Sequence, residues 1–194
     1  MYSLPIAVEL NGASFGIRDK GDFRMVLDCF SALNDEELTA QERVWASLII
    51  FYEDFDDLED LAKDDLDLVS LQQEMFKFFN GGEDSVTSNT EGHNLIDWDK
   101  DSNLICSAVN NVAHTEVRAL DYLHWWTFMG YYMAVGECPL SHIIGIRHKI
   151  ANSEKLEKYE QKFIQDNPDY FTMDYRTAEQ KEIDEYVQNL WSKG

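Results

Sequence analysis

The chain has 194 residues, 44% of them hydrophobic and 13% aromatic, which is enough apolar material for a packed interior and excludes a globally disordered chain. Its 37 acidic residues against 16 basic give a formal net charge of −21, which excludes nucleic acid as a ligand because a phosphate backbone is held by Lys and Arg. Residues 1–140 carry 8 bases and 27 acids, net −19, whereas residues 141–194 carry 8 and 10, net −2. Such a surface keeps copies apart and suits a basic or amphipathic partner segment. Cys29, Cys106 and Cys138 are widely spaced and odd in number, so they read as small buried hydrophobes in a reducing compartment. The opening MYSLPIAVELNG lacks a basic region before an apolar core, and no run reaches the roughly 20 apolar residues of a membrane span, so a cytosolic protein is expected.

The stretch YSLPIAVELNGASFGIR alternates apolar and polar positions around Asn11-Gly12 and predicts a β-hairpin at about 2–18. Phe23, Val26, Leu27, Phe30 and Leu33 then fall at helical spacing behind a cap at Asp22, predicting a helix over 22–33. Thr39 with Glu42 makes a capping box, and Val44, Trp45, Leu48, Ile49 and Tyr52 continue one face of a second helix. Residues 53–67 hold nine acids in fifteen positions and read as a solvated loop and helix face. A helix is expected from Leu66 to Phe79, then a mobile turn-rich loop ending near His93.

In DWDKDSNLICSA, residues 97–108, Asp97, Asp99 and Asp101 occupy the first, third and fifth positions of a calcium loop. The sixth position is Ser102 rather than Gly and the twelfth is Ala108 rather than Glu, so the helix reading is preferred. In it Asp101 or Ser102 caps a helix whose buried stripe is Leu104, Ile105, Ala108, Val109 and Val112. His114, His124, His142 and His148 form no metal-ligand array, and no cofactor or metal is expected. An enzyme would need a cleft bringing His124, Asp121 and Cys138 within hydrogen-bond reach, and the sequence shows no pairing that suggests one.

From Tyr122 to Val135, behind an N-cap at Asp121, the chain is apolar or aromatic on every side of a helical wheel. This helix is either central in the core or covered by a partner. Tyr and Trp, with a polar tip on an apolar body, suit partly wet binding surfaces. Gly136 ends it, Pro139 opens the next helix, and Leu140, Ile143, Ile144 and Ile146 form a ridge ending at Arg147. Leu156, Tyr159 and Phe163 mark a thin amphipathic helix broken at Asn167-Pro168, and Thr177 with Glu179 opens a last one carrying Ile183, Tyr186, Val187, Leu190 and Trp191. The expected fold is mainly α: an N-terminal β-hairpin and compact multi-helix domain over 1–150, then a C-terminal helical extension over 151–194.

LPIAVELNGASFGIR, the acidic helical middle, DWDKDSNLICSAV, and LHWWTF followed by LSHIIGIR together resemble a family of tailed-bacteriophage proteins regarded as tail assembly chaperones. These siphophage proteins are encoded near the major tail protein and the tape measure protein, and the resemblance covers residues 2 to about 150. The segment NNVAHTEVRALD and the long charged tail depart from it. The resemblance implies a non-enzymatic protein of the host cytoplasm, absent from the mature virion. It would bind the tape measure protein and assist polymerisation of the tail tube protein. The rival is a structural virion component, a tail or connector subunit. The residues assigned to partner binding are Trp125, Trp126, Tyr131, Tyr132 and Trp191. Assembly into a homo-oligomer is left open.

Overall fold

A computed structural model describes residues 3–53, 68–83, 93 and 95–175. The acidic stretch 54–67, most of the loop expected before His93, and the last expected helix with Trp191 lie outside the described residues. The described residues form a mainly helical protein with an N-terminal antiparallel hairpin, as the sequence predicts. Its internal contacts divide the chain into two units, Met1–Val86 with Val109–Ala134, and Thr87–Ala108 with Val135–Gly194.

In the first unit, β1 (Ala7–Leu10) pairs antiparallel with β2 (Ala13–Gly16), with Val8 opposite Phe15. Asn11 and Gly12 sit at φ 52° and 85°, the left-handed region that a two-residue turn matching strand twist requires. Helix α1 (Phe23–Asn34) starts where the Asp22 carboxylate accepts from the Arg24 N–H at 3.0 Å. In α2 (Ala40–Phe51) both bonds of the Thr39–Glu42 capping box are made. These two helices pack on each other, and α2 packs on α3 (Leu68–Phe79). Ile17, Val26, Cys29, Leu48, Phe51, Leu71 and Met75 are fully buried between these elements. Burial, with Asp28 beside it, pushes the Cys29 thiol up to about 12, so it is an inert packing group.

Helix α4 (Ser102–Ala113) buries Ile105, Cys106, Ala108 and Val109, and its Asn110 amide accepts from the Val117 N–H at 2.8 Å. The aromatic helix differs from the expectation. It is α5 (Trp125–Met133), and its N-cap is His124, not Asp121. Tyr122 and Leu123 lie outside it because the Leu123 backbone is held at the start of α1: Leu123 N–H donates to Asp22 at 2.9 Å, and Leu123 C=O accepts from Phe23 N–H at 2.9 Å. Nor is α5 buried on every side. Trp125 and Phe128 are in the core, where Phe128 stacks on Phe23 at 4.6 Å, while Met133 is 77% exposed.

In the second unit α6 (Pro139–Ala151) begins with Pro139, as expected. Cys138 corrects the sequence reading: it is only half-buried, and its sulfur caps α6 by accepting from the Ser141 N–H at 3.5 Å. Helix α7 (Lys158–Asp166) follows, ended by Asn167 and the 3-10 turn Pro168–Phe171, which gives the expected break. Leu156 lies before α7 rather than on it. Glu160 of α7 is 3% exposed and takes Lys149 of α6 at 2.7 Å, which holds its carboxyl below the usual range.

Candidate functional site

Several aromatic and cationic side chains of the conspicuous sequence stretches have a structural task. The last carbonyls of a helix have no partner inside it. At the end of α3 those of Phe78 and Phe79 are met by two indoles: Trp126 Nε1–H donates to Phe78 O at 2.8 Å, and Trp125 Nε1–H to Phe79 O at 2.9 Å. Gly81 and Gly82, at φ 74° and 90°, turn the chain away, and a Cβ on Gly82 would lie 2.8 Å from the Trp126 ring. His124 sets the angle of the pair. Its Nδ1 accepts from the Trp126 N–H at 3.0 Å, so the ring proton is on Nε2, which donates to Pro5 O at 3.0 Å. Burial lowers the His124 pKa against weaker opposing effects of Pro5 and Asp22, in keeping with this neutral form. Arg18 closes α2 in the same manner, donating to Ile50 O, Ile49 O and Tyr52 O at 3.0, 3.1 and 2.9 Å.

One flank of Trp126 lines an open groove of about 330 Å³ between β1 and α3, with Val8, Ile17 and Phe78 as further apolar lining. Tyr131 and Tyr132 are half-buried on α5, beside the bare Met133. A second groove of about 500 Å³ is lined by Asp19, Asp22, Asp28, Glu53 and Asp121 with Lys20 and Arg24. There Asp22 is already bound bidentately by Arg24 at 3.0 Å.

In the second unit Arg147 is 1% exposed and forks onto Asp101, which is completely buried, at 2.5 and 2.9 Å. The guanidinium also donates to Tyr170 O at 2.9 Å and Leu95 O at 3.0 Å, while Asp101 accepts the Asp97 N–H at 3.0 Å. Asp97 caps the Asp99 and Lys100 N–H groups. The acids of the calcium-like segment therefore hold a turn and a buried arginine. His142 on α6 stacks with Tyr159 and meets Phe163 edge-on at 5.2 Å, a partly open ring cluster with Tyr159 62% exposed.

A family described as Bacteriophage Gp15 protein matches residues 1–171. The chain belongs to the bacteriophage Gp15 family. No curated protein and no solved structure matches it.

Of the residues assigned to partner binding in this Gp15-family chain, Trp125 is spent in the core, 1% exposed with its N–H committed to Phe79. Trp126, Tyr131 and Tyr132 keep part of their surface open. Trp191 lies outside the described residues. His124 is 1% exposed with both ring nitrogens engaged by backbone, so its ring is a structural clamp. No helix among the described residues is long and apolar enough to cross a membrane. Sequence reasoning missed Arg18, Asp101 and Arg147 as a set. The signal available was the repeated Gly-Ile-Arg, at residues 16–18 and 145–147.

Proposed function

We propose that this Gp15-family protein is a non-enzymatic tail assembly chaperone. It acts in the host cytoplasm, binds the tape measure protein, and assists polymerisation of the tail tube around it. The observation that carries the reading is the solvent-facing end of α5, where Met133 is 77% exposed next to half-buried Tyr131 and Tyr132 on an otherwise acidic chain. Aromatic rings that hold an apolar body at the surface lose little entropy on binding and tolerate a partly wet contact. The clamp of His124, Trp125 and Trp126 fixes the helix that carries them, so the surface is preorganised. By resemblance, the client is a long helical chain whose apolar stripes self-associate before a tube encloses them, and a temporary cover in helix-in-groove fashion keeps it soluble. The net charge of −21 then keeps loaded complexes from clumping.

Co-expression tests this. With the tape measure protein of the same phage, the chain is expected to raise the soluble fraction of the client and to co-purify with it. A client that stays insoluble, or that is soluble without forming a complex, refutes the role. Tyr131→Ser with Met133→Ser should reduce co-purification while leaving the fold intact by circular dichroism.

A further inference from the structure

Among the described residues, strand β1 has an open edge. Leu10 and Ala13 close the two-residue turn, and bonded pairs recur at alternate positions of an antiparallel ladder. Leu10, Val8 and Ile6 therefore turn their backbone groups towards β2, with Ile17 N–H to Ile6 O at 2.9 Å the last of the series. Ala7 and Glu9 direct their N–H and C=O groups outwards, and among the described residues these backbone groups have no partner. Beyond them the edge is closed, because Pro5 has no N–H and its C=O is taken by His124. The free edge lies beside the groove that Val8, Phe78 and Trp126 line. Unpaired strand edges recruit other chains unless they are covered or blunted by charge.

We propose that this edge and groove bind an extended apolar segment of another polypeptide, flanked by Lys or Arg, which adds to β1 as a further strand. A helix cannot use the outward groups of Ala7 and Glu9, since its own backbone groups are bonded internally, whereas an extended segment meets both residues and lowers alternate apolar side chains towards Phe78 and Trp126. The flanking charge follows from the rim. Glu9 and Glu74 line the groove and Glu83 follows Gly82, against Lys77 as the one base among the described lining residues, and Glu74 already attracts it at 3.8 Å. A second copy is the wrong occupant, for it would bring another net charge of −21 to an edge that carries Glu9. The inference goes beyond the chaperone reading: apart from Trp126 it concerns different residues, and it stands or falls whether or not the tape measure protein is the client.

The test uses the full chain, labelled with nitrogen-15, and three synthetic peptides: a Val-Thr-Val-Thr-Val centre flanked by lysines, the same centre flanked by glutamates, and a lysine-flanked Ala/Leu helix. The lysine-flanked strand peptide is expected to bind, to shift the Ala7 and Glu9 amides and slow their hydrogen exchange, and to weaken as salt rises. Ala7→Pro removes the outward N–H without touching the β1–β2 ladder, and should lower its affinity about tenfold. Glu9→Lys should weaken the lysine-flanked peptide and strengthen the glutamate-flanked one, a check that survives if Ala7→Pro disturbs the hairpin. Equal binding of both strand peptides overturns the proposal, as does tighter binding of the helical peptide without amide protection. Protection of Ala7 and Glu9 that rises with protein concentration alone also overturns it, by assigning the edge to a second copy.

Discussion

Replacing Asp101 by Ala should be the most damaging single polar substitution in the second unit. It removes two bonds to Arg147 and the acceptor of the Asp97 N–H, and leaves the guanidinium, 1% exposed, to the Tyr170 and Leu95 carbonyls, with no carboxylate bound to it among the described residues. Taking one partner from a buried pair costs about 3–5 kcal/mol, mostly because the remaining charge stays out of water. For a chain of this length each kcal/mol lowers the midpoint by roughly 2–4 °C, so Asp101→Ala should melt about 10 °C earlier. Arg147→Met combined with Asp101→Leu removes both charges at similar volume and should recover most of the loss, since a well-packed apolar pair is often neutral relative to a buried ion pair. Thermal and urea unfolding, with hydrogen exchange read at α4 and α6, measures both. A loss below about 1 kcal/mol in the single variant, or a double variant as unstable as the single, would refute the assignment of this pair as an enclosed, mutually dependent charge couple.

The indole clamp should also be measurable by urea unfolding. Trp126→Phe keeps an aromatic ring but removes one of two donors to the Phe78 carbonyl, which still accepts from the Gly81 N–H at 3.1 Å, and should cost about 1 kcal/mol, while Trp125→Ala empties a core site and should cost about 3–5 kcal/mol. Gly82→Ala, at φ 90° and 2.8 Å from the Trp126 ring, should cost more than Gly12→Ala, which has the same sign of φ but open space around it. Stability should also depend on pH through His124. Its folded pKa is lowered, so the folded state binds the proton less readily than the unfolded chain; its contribution is complete above the unfolded value of about 6.5 and is lost as pH falls below it. Unfolding midpoints between pH 8 and 5 should show a steeper fall for the natural chain than for His124→Asn, which keeps a capping side chain that does not titrate.

What was legible in the sequence is local. Asn11-Gly12 announces its turn because only a few residues tolerate two successive positive φ angles, and Thr39 with Glu42 announces α2 because both capping bonds lie within one turn of chain. The start of α5 was misread for the converse reason. Asp121 has the chemistry of a cap, but Asp22, about a hundred residues earlier, claims the Leu123 N–H and leaves the cap to His124. The same distance hides the clamp: nothing in the spacing of Phe78 and Trp126 says that an indole from one will close the helix ending at the other. Asp101 and Arg147 each stood in a recognisable stretch, yet their pairing spans 46 positions, and reading Asp101 as a helix cap gave no pointer to a cation so far along the chain. The all-round apolar pattern over α5 flagged an unusual helix, but composition alone could not tell the buried Trp125 from the open Met133.

Quantitative mass spectrometry of infected cells and of finished particles puts the central claim to its most direct test. The account expects this chain to be recovered together with the tape measure protein from lysates in which tails are still assembling, and to be missing from purified virions. Recovery at fixed stoichiometry in the purified particle would contradict it and make the chain a tail or connector subunit.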